Sequence, residues 1–145
     1  MNISHYKQMG LQLIGRDHVQ GNLPCQDRTY FRQKDGVRVI ALADGAGSKK
    51  ESHLGAEIAT KTVTDLLIEH FDEYFTLLED QPSKKSNLGK VITREVYKNL
   101  NQFVQDNKAI SVIEMSSTLL FIAMQGDRYI QGHIGDGLIG EMLKG

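Results

Sequence analysis

Val37-Arg38-Val39-Ile40-Ala41-Leu42-Ala43-Asp44-Gly45-Ala46-Gly47-Ser48 reads as a buried strand that runs into a glycine-rich turn. All but one of the residues from Val37 to Ala43 are apolar, which predicts a central strand rather than a half-wet edge. The strand ends on a carboxylate, Asp44, followed by small residues ahead of a helical pattern. A carboxylate at the rim of a buried strand, beside pliable backbone, can reach a divalent cation. Mg²⁺ and Mn²⁺ favour such oxygen ligands, completed by backbone carbonyls and water. A plain turn is the equal rival, because Asp and Gly are common turn residues. A phosphate cradle at the start of the following helix is a weaker third reading. A phosphate loop needs Gly-Lys followed by Ser or Thr, whereas Gly47 precedes Ser48-Lys49-Lys50, and the dinucleotide pattern lacks its third glycine.

On the N-terminal side, Lys34-Asp35-Gly36 links this strand to Arg28–Gln33, and Asp-Gly between two β-prone runs predicts a hairpin. Before it a polar loop spans Arg16 to Gln26 and holds Pro24. Met9, Leu11 and Leu13 alternate with Gly10 and Gln12, which predicts a further strand. On the C-terminal side the period changes. Leu54, Ile58, Val63, Leu66, Leu67, Phe71 and Tyr74 recur at helical spacing, beginning near Ser52 or His53, with Glu57, Lys61, Asp65 and Glu69 mostly on the other face. Glu79–Asn87, containing Pro82, reads as a turn. Leu88, Val91, Ile92, Val96, Leu100, Phe103 and Val104 then mark a second helix, antiparallel to the first. Strands return at Ser117–Met124 and Tyr129–Ile134, joined by a turn at Gln125-Gly126-Asp127-Arg128. Gly135-Asp136-Gly137 interrupts them, and Leu138–Leu143 is expected to begin another strand. Glycine placement agrees: seven lie between Gly10 and Gly55, six between Gly126 and Gly145, and only Gly89 in between.

Composition bounds the function. The 145 residues suit one domain, 1–145, able to bury a core. With 40% hydrophobic residues and a net charge of -1, the chain is not disordered. That balance also argues against a nucleic-acid or membrane-surface partner. A single cysteine, Cys25, excludes an internal disulfide framework and a multi-cysteine zinc site. The longest apolar run, Leu119 to Met124, is far short of the ~20 residues of a membrane span. Met1–Lys7 is polar, unlike a secretory leader. A cytoplasmic location is the expectation.

Two further aspartates share the setting of Asp44. Asp27 precedes the first hairpin strand, and Asp136 sits between glycines after the last. Each alone reads as a turn residue, but three carboxylates at strand ends can converge on one end of a sheet. The five histidines show no zinc spacing. His18 can hydrogen-bond an anion, though a solvated loop position is the plainer reading, and His70 falls on the first helix. Cys25 has no activating base nearby in sequence and reads as a small buried residue. Lys49-Lys50 and Lys84-Lys85 read as solvated.

Five segments in order resemble the metal-dependent, type-2C (PPM) protein serine/threonine phosphatases, particularly their bacterial branch. They are Gly-Asn-Leu-Pro-Cys-Gln-Asp (21–27), Ala-Leu-Ala-Asp-Gly-Ala-Gly-Ser (41–48), Gly-Ala-Glu-Ile-Ala (55–59), Ser-Ser-Thr-Leu-Leu (116–120) and Gly-His-Ile-Gly-Asp-Gly (132–137). The resemblance implies an α+β fold, a β-sandwich of antiparallel sheets flanked by antiparallel helix pairs. It implies hydrolysis of phosphoserine and phosphothreonine esters in a phosphoprotein substrate, by water activated at a centre of two Mn²⁺ or Mg²⁺ ions. By the same resemblance Asp44 bridges both metals, the Gly45 carbonyl ligates one, and Asp27 sits beside them as a further metal and catalytic residue. Asp136 matches an aspartate that helps bind a weaker ion, and Thr118 matches a structural position. Gln26 stands where many members have Glu. The usual phosphate-binding arginine has no clear counterpart, leaving Arg16 and His18 as candidates. The expectation is that these residues form the N-terminal part of a larger domain, incomplete at the C-terminus. Such a chain would be impaired in catalysis alone and would need a missing half or partner chain. A non-catalytic phosphatase-like binding module is the alternative.

Overall fold

The protein, a computed structural model, is described over residues 9–80, 83, 85–108 and 110–140. Helix α1 covers Arg16–Gln20, strands β1 and β2 cover Arg28–Lys34 and Val37–Ala43, and helices α2 and α3 cover Ser52–Asp80 and Lys85–Asp106. A 3-10 turn at Val112–Met115 leads into strands β3, Leu119–Gln125, and β4, Arg128–Ile134. The β1–β2 turn needs two residues with positive φ, and Asp35 (φ 51°) and Gly36 (φ 80°) supply them. Gly126 (φ 66°) opens the β3–β4 turn in the same region. The four strands form one antiparallel sheet in the order β1-β2-β3-β4. The apolar strand β2 therefore lies inside the sheet. Both helices are inserted between β2 and β3, and the chain is of mixed α+β type.

Alternation along β2 and β3 divides the sheet into two faces. Val37, Val39, Ala41, Leu119, Phe121 and Ala123 are buried and turn toward the helices. Phe121 packs over β4 so closely that a Cβ on Gly132 would stand 2.6 Å from its ring, which explains a glycine in mid-strand. Helix α2 lies on this face. Its Val63 and Leu67 are fully buried, each contributing roughly 1.5–3 kcal/mol. That outweighs the weaker helix propensity of Thr60, Thr62 and Thr64, at most about 0.7 kcal/mol apiece. Thr60 turns its hydroxyl back to the Ala56 carbonyl, 2.8 Å away, and Thr62 accepts from the Asn99 amide of α3 at 2.9 Å. Thr62 meets Asn99 while Phe75 and Leu78 adjoin Leu88 and Ile92, so α2 and α3 run antiparallel.

Charged residues fasten the sheet to α2. Glu57 pairs with Arg28 and Lys61, and Arg32 pairs with Asp65. The expected polar face of α2 is thus partly engaged by β1. Arg128, at the start of β4, stands 5.3 and 5.2 Å from the ring centres of Phe71 and Phe75 and reaches Asp72 at 2.7 Å. The helix bends at His70 (φ -123°, ψ 22°) between these contacts.

Several sequence expectations change. Met9–Leu13 is no strand. Met9, Leu11 and Leu13 are 87%, 75% and 74% exposed, and the edge of β1 is met there by a side chain, with the Thr29 amide donating to Gln12 Oε1. Alternation without a strand to pair with does not make a sheet member. The polar loop contains α1, and the turn between the long helices is shorter than expected because α2 reaches Asp80 and α3 begins at Lys85. Pro82 lies outside the described residues. Leu138 is 97% exposed, and 138–140 is not strand, while 141–143 lies outside the described residues. Cys25 is half-buried rather than buried. One helix pair covers one sheet face. The other face carries Phe31, Ile40, Leu42, Leu120, Ile122 and Tyr129 with no layer over it among the described residues, Phe31 being 53% and Leu42 44% exposed. Among the described residues no helix is long and apolar enough to cross a membrane.

Candidate active site

The antiparallel order brings the start of β1, the end of β2, the start of β3 and the end of β4 to one edge of the sheet. Arg28 pairs with Ala43, and Leu119 pairs with Ile134. Asp27, Asp44, Thr118 and Gly135-Asp136 therefore follow one another along that edge. The Asp27 carboxyl lies close enough to that of Asp44 to perturb it. Asp44 is solvent-exposed as a residue, yet protein crowded around its carboxyl removes water from it. This burial raises its pKa above the ordinary aspartate value, and the hydrogen bond with Asp27 and the Asp27 charge push the same way.

Backbone and polar side-chain groups hold the Asp44 loop. The Asp44 amide donates to the Thr118 hydroxyl at 3.0 Å, and the Thr118 amide returns a bond to the Asp44 carbonyl at 2.9 Å. Gly45 bridges to Ser117, the Ala46 amide donates to Ser116 O at 2.9 Å, and the Lys50 amide donates to the Glu114 carboxylate at 3.2 Å. From the other side, the Gly45 amide donates to Gln26 O at 3.2 Å. A Cβ on Gly45 would stand 2.7 Å from that oxygen and 2.8 Å from Ser52 Oγ, so only glycine fits. Gln26 is 6% exposed, and its amide nitrogen donates to Lys49 O at 3.0 Å. Its side chain braces the loop as a donor, a role fixed by burial and not visible in the residue type.

The remaining candidates lie apart from the carboxylate pair. Asp136 is exposed, flanked by Gly135 (φ 80°) and Gly137 (φ 154°). Among the described residues no group of three or more His, Cys, Asp or Glu side chains is close enough to hold one metal ion. Arg16 is exposed and His18 half-buried on α1, beyond the loop that leads to Asp27. Sequence reasoning gave no role to three residues of the frame: Glu114, Ser116, and Arg28, whose guanidinium donates to Cys25 O at 2.6 Å and Asp27 O at 2.8 Å. Glu114 and Ser116 act on backbone far away in sequence, at Lys50 and Ala46, and only the fold reveals those partners.

The donors gathered here are oxygens, two of them on carboxylates whose negative charges oppose one another. That set suits a hard divalent cation, which would relieve the repulsion. Residues 14–144 match the family described as Protein phosphatase 2C, and the chain belongs to that family of phosphatases. No curated protein and no solved structure gives a significant match.

Proposed function

We propose that the protein hydrolyses phosphoserine and phosphothreonine esters of cytoplasmic phosphoproteins with Mn²⁺ or Mg²⁺. The observation that carries this reading is the juxtaposition of Asp27 and Asp44 at one sheet edge, beside the paired ends Arg28 and Ala43, in a chain of the Protein phosphatase 2C family. Asp44, the Gly45 carbonyl and Asp27 are the groups assigned to the ions, and Asp136, farther along the same edge, is assigned to a further, weaker one. The ions supply positive charge that activates water and offsets the charge of the phosphoryl oxygens. Asp27 orients water beside the centre, and Thr118 and Gln26 keep the Asp44 loop in register. Arg16 and His18 are assigned to the substrate phosphate. The uncovered apolar sheet face fits a second antiparallel sheet, as in a sandwich, or a partner chain. With two carboxylates in contact and no third beside them among the described residues, turnover by these 145 residues alone is expected to be weak.

The test is Asp44→Asn. It is expected to abolish Mn²⁺-dependent hydrolysis of a phosphothreonine peptide and to remove Mn²⁺ binding in calorimetry. Metal-dependent turnover at the parent rate by this variant refutes the assignment. One observation favours a second reading, a phosphatase-like binding module: the Gln26 amide is committed to the Lys49 carbonyl and is not a ligand. A folded chain that takes up no Mn²⁺ but retains a phosphopeptide would establish the module.

A further inference from the structure

We infer that Thr118 is a positioning residue that sets the Asp44 carboxyl for its cation through its hydroxyl, and that the same side chain links the two acidic loops of the sheet edge; this rests on the metal-site reading above. Thr118 is half-buried between β2 and β4. Its hydroxyl accepts the Asp44 amide proton at 3.0 Å, and its own amide donates to the Asp44 carbonyl at 2.9 Å. Both peptide groups flanking the Asp44 side chain are therefore held by one residue. The methyl group faces the other way, and a Cβ on Gly135 would stand 3.1 Å from it. Gly135 precedes Asp136, so one small β-branched side chain bonds the backbone of Asp44 and lies beside the turn that carries Asp136. Its polar and apolar halves are separable by substitution. Valine keeps the shape and loses the hydroxyl, whereas serine keeps the hydroxyl and loses the methyl.

The closing experiment compares the full chain with Thr118→Val and Thr118→Ser by amide hydrogen exchange without metal and by Mn²⁺ calorimetry. A lost hydrogen bond of ordinary strength corresponds to about a five-fold effect. Thr118→Val is expected to speed exchange at the Asp44 amide and weaken Mn²⁺ binding, each about five-fold. Thr118→Ser is expected to leave both near the parent values while speeding exchange at Gly135 and Asp136. Equal weakening of Mn²⁺ binding in the two variants would assign the effect to packing and overturn the inference, as would parent-like binding by Thr118→Val. If the parent chain itself binds no Mn²⁺, the metal-site reading fails and this inference with it. Unchanged Asp44 exchange in Thr118→Val refutes the hydroxyl bond independently of any metal.

Discussion

Gly55 is the position where one added methyl group should disturb the site most from a distance. It lies in the first turns of α2, against the strap from Glu114 to Thr118 that holds the Asp44 loop. A Cβ there would stand 1.7 Å from the Met115 carbonyl oxygen and 2.6 Å from the carbonyl carbon. The carbonyl must retreat by about 1.3 Å to reach even 3.0 Å, a distance real Cβ contacts hardly ever undercut. Met115 is 1% exposed and has no free space to move into. Overpacking of this kind costs about 1–3 kcal/mol. The displaced strap also strains the bonds from the Glu51 amide to Glu114 O, 3.1 Å, and from the Ala46 amide to Ser116 O, 2.9 Å. Each is worth ~1 kcal/mol, and the better helix propensity of alanine returns about 1 kcal/mol, which brings the expected loss for Gly55→Ala to about 2–4 kcal/mol. With an unfolding entropy of ~2.1 cal/mol/K per residue, that lowers Tm by roughly 7–13 °C. Thermal unfolding followed by far-UV circular dichroism reads it. Gly89→Ala is the control, because a Cβ in that part of α3 meets nothing within 4 Å. Replacing a helical glycine there should raise Tm by about 3 °C. A Gly55→Ala protein melting within ~2 °C of the parent would show that α2 and the strap are not packed as described.

Two shorter tests address polar groups. Gln26→Glu replaces the donor to Lys49 O with a carboxylate that cannot donate, at a 6% exposed position. It should cost about 1–3 kcal/mol at neutral pH, and the loss should shrink toward about pH 4 as the new carboxyl protonates; a neutral-pH melt equal to the parent's would contradict the bracing role. Glu57 is held below its ordinary pKa of 4.5 by the hydrogen bond and charge of Lys61 and the charge of Arg28, against a smaller opposing effect of burial. Its contribution is therefore fully present above pH 4.5 and is lost as pH falls through the lower folded value. Urea midpoints of Glu57→Gln should lose less than the parent's on acidification, by under about 1 kcal/mol for so exposed a pair, and parallel pH curves would reject the pairing.

Much of this architecture is legible from local chemistry. Asp35-Gly36 signals its own turn, because positive φ at both central positions is a property of those two residues. The run from Val37 to Ala43 signals an interior strand, and its place between β1 and β3 follows. Helical spacing from Leu54 to Tyr74 identifies α2, because one stripe of it must find a core. What failed was pairing. Met9, Leu11 and Leu13 alternate as cleanly as β4 does, but alternation states only that two faces differ, not that a neighbouring strand exists. The candidate site divides in the same way. Asp27, Asp44 and Asp136 could be picked out as carboxylates at strand ends, since glycine and the end of an apolar run mark such places. The groups that hold them in place are remote in sequence. Thr118 meets Asp44 across 74 residues and Glu114 meets Lys50 across 64, so neither contact leaves a local pattern.

The electrostatics of the frame favour the proposed cation site over a structural ion pair. Two carboxylates in contact destabilise each other, and a fold that used them only for support would set an arginine between them. Arg28 is the next residue after Asp27 and is well placed for that task. Its guanidinium instead donates to the backbone oxygens of Cys25 and Asp27 and leans toward Glu57 at 3.9 Å. Around Asp44 the contacts come from a hydroxyl and backbone amides, which fix position without cancelling charge. Glu57 binds Arg28 and Lys61 on the helix side, and so keeps the Arg28 guanidinium engaged away from the aspartates. Removing Glu57 should therefore free Arg28 to swing toward the aspartates and weaken their hold on a divalent ion, which couples an ion pair on the helix face to the chemistry at the sheet edge.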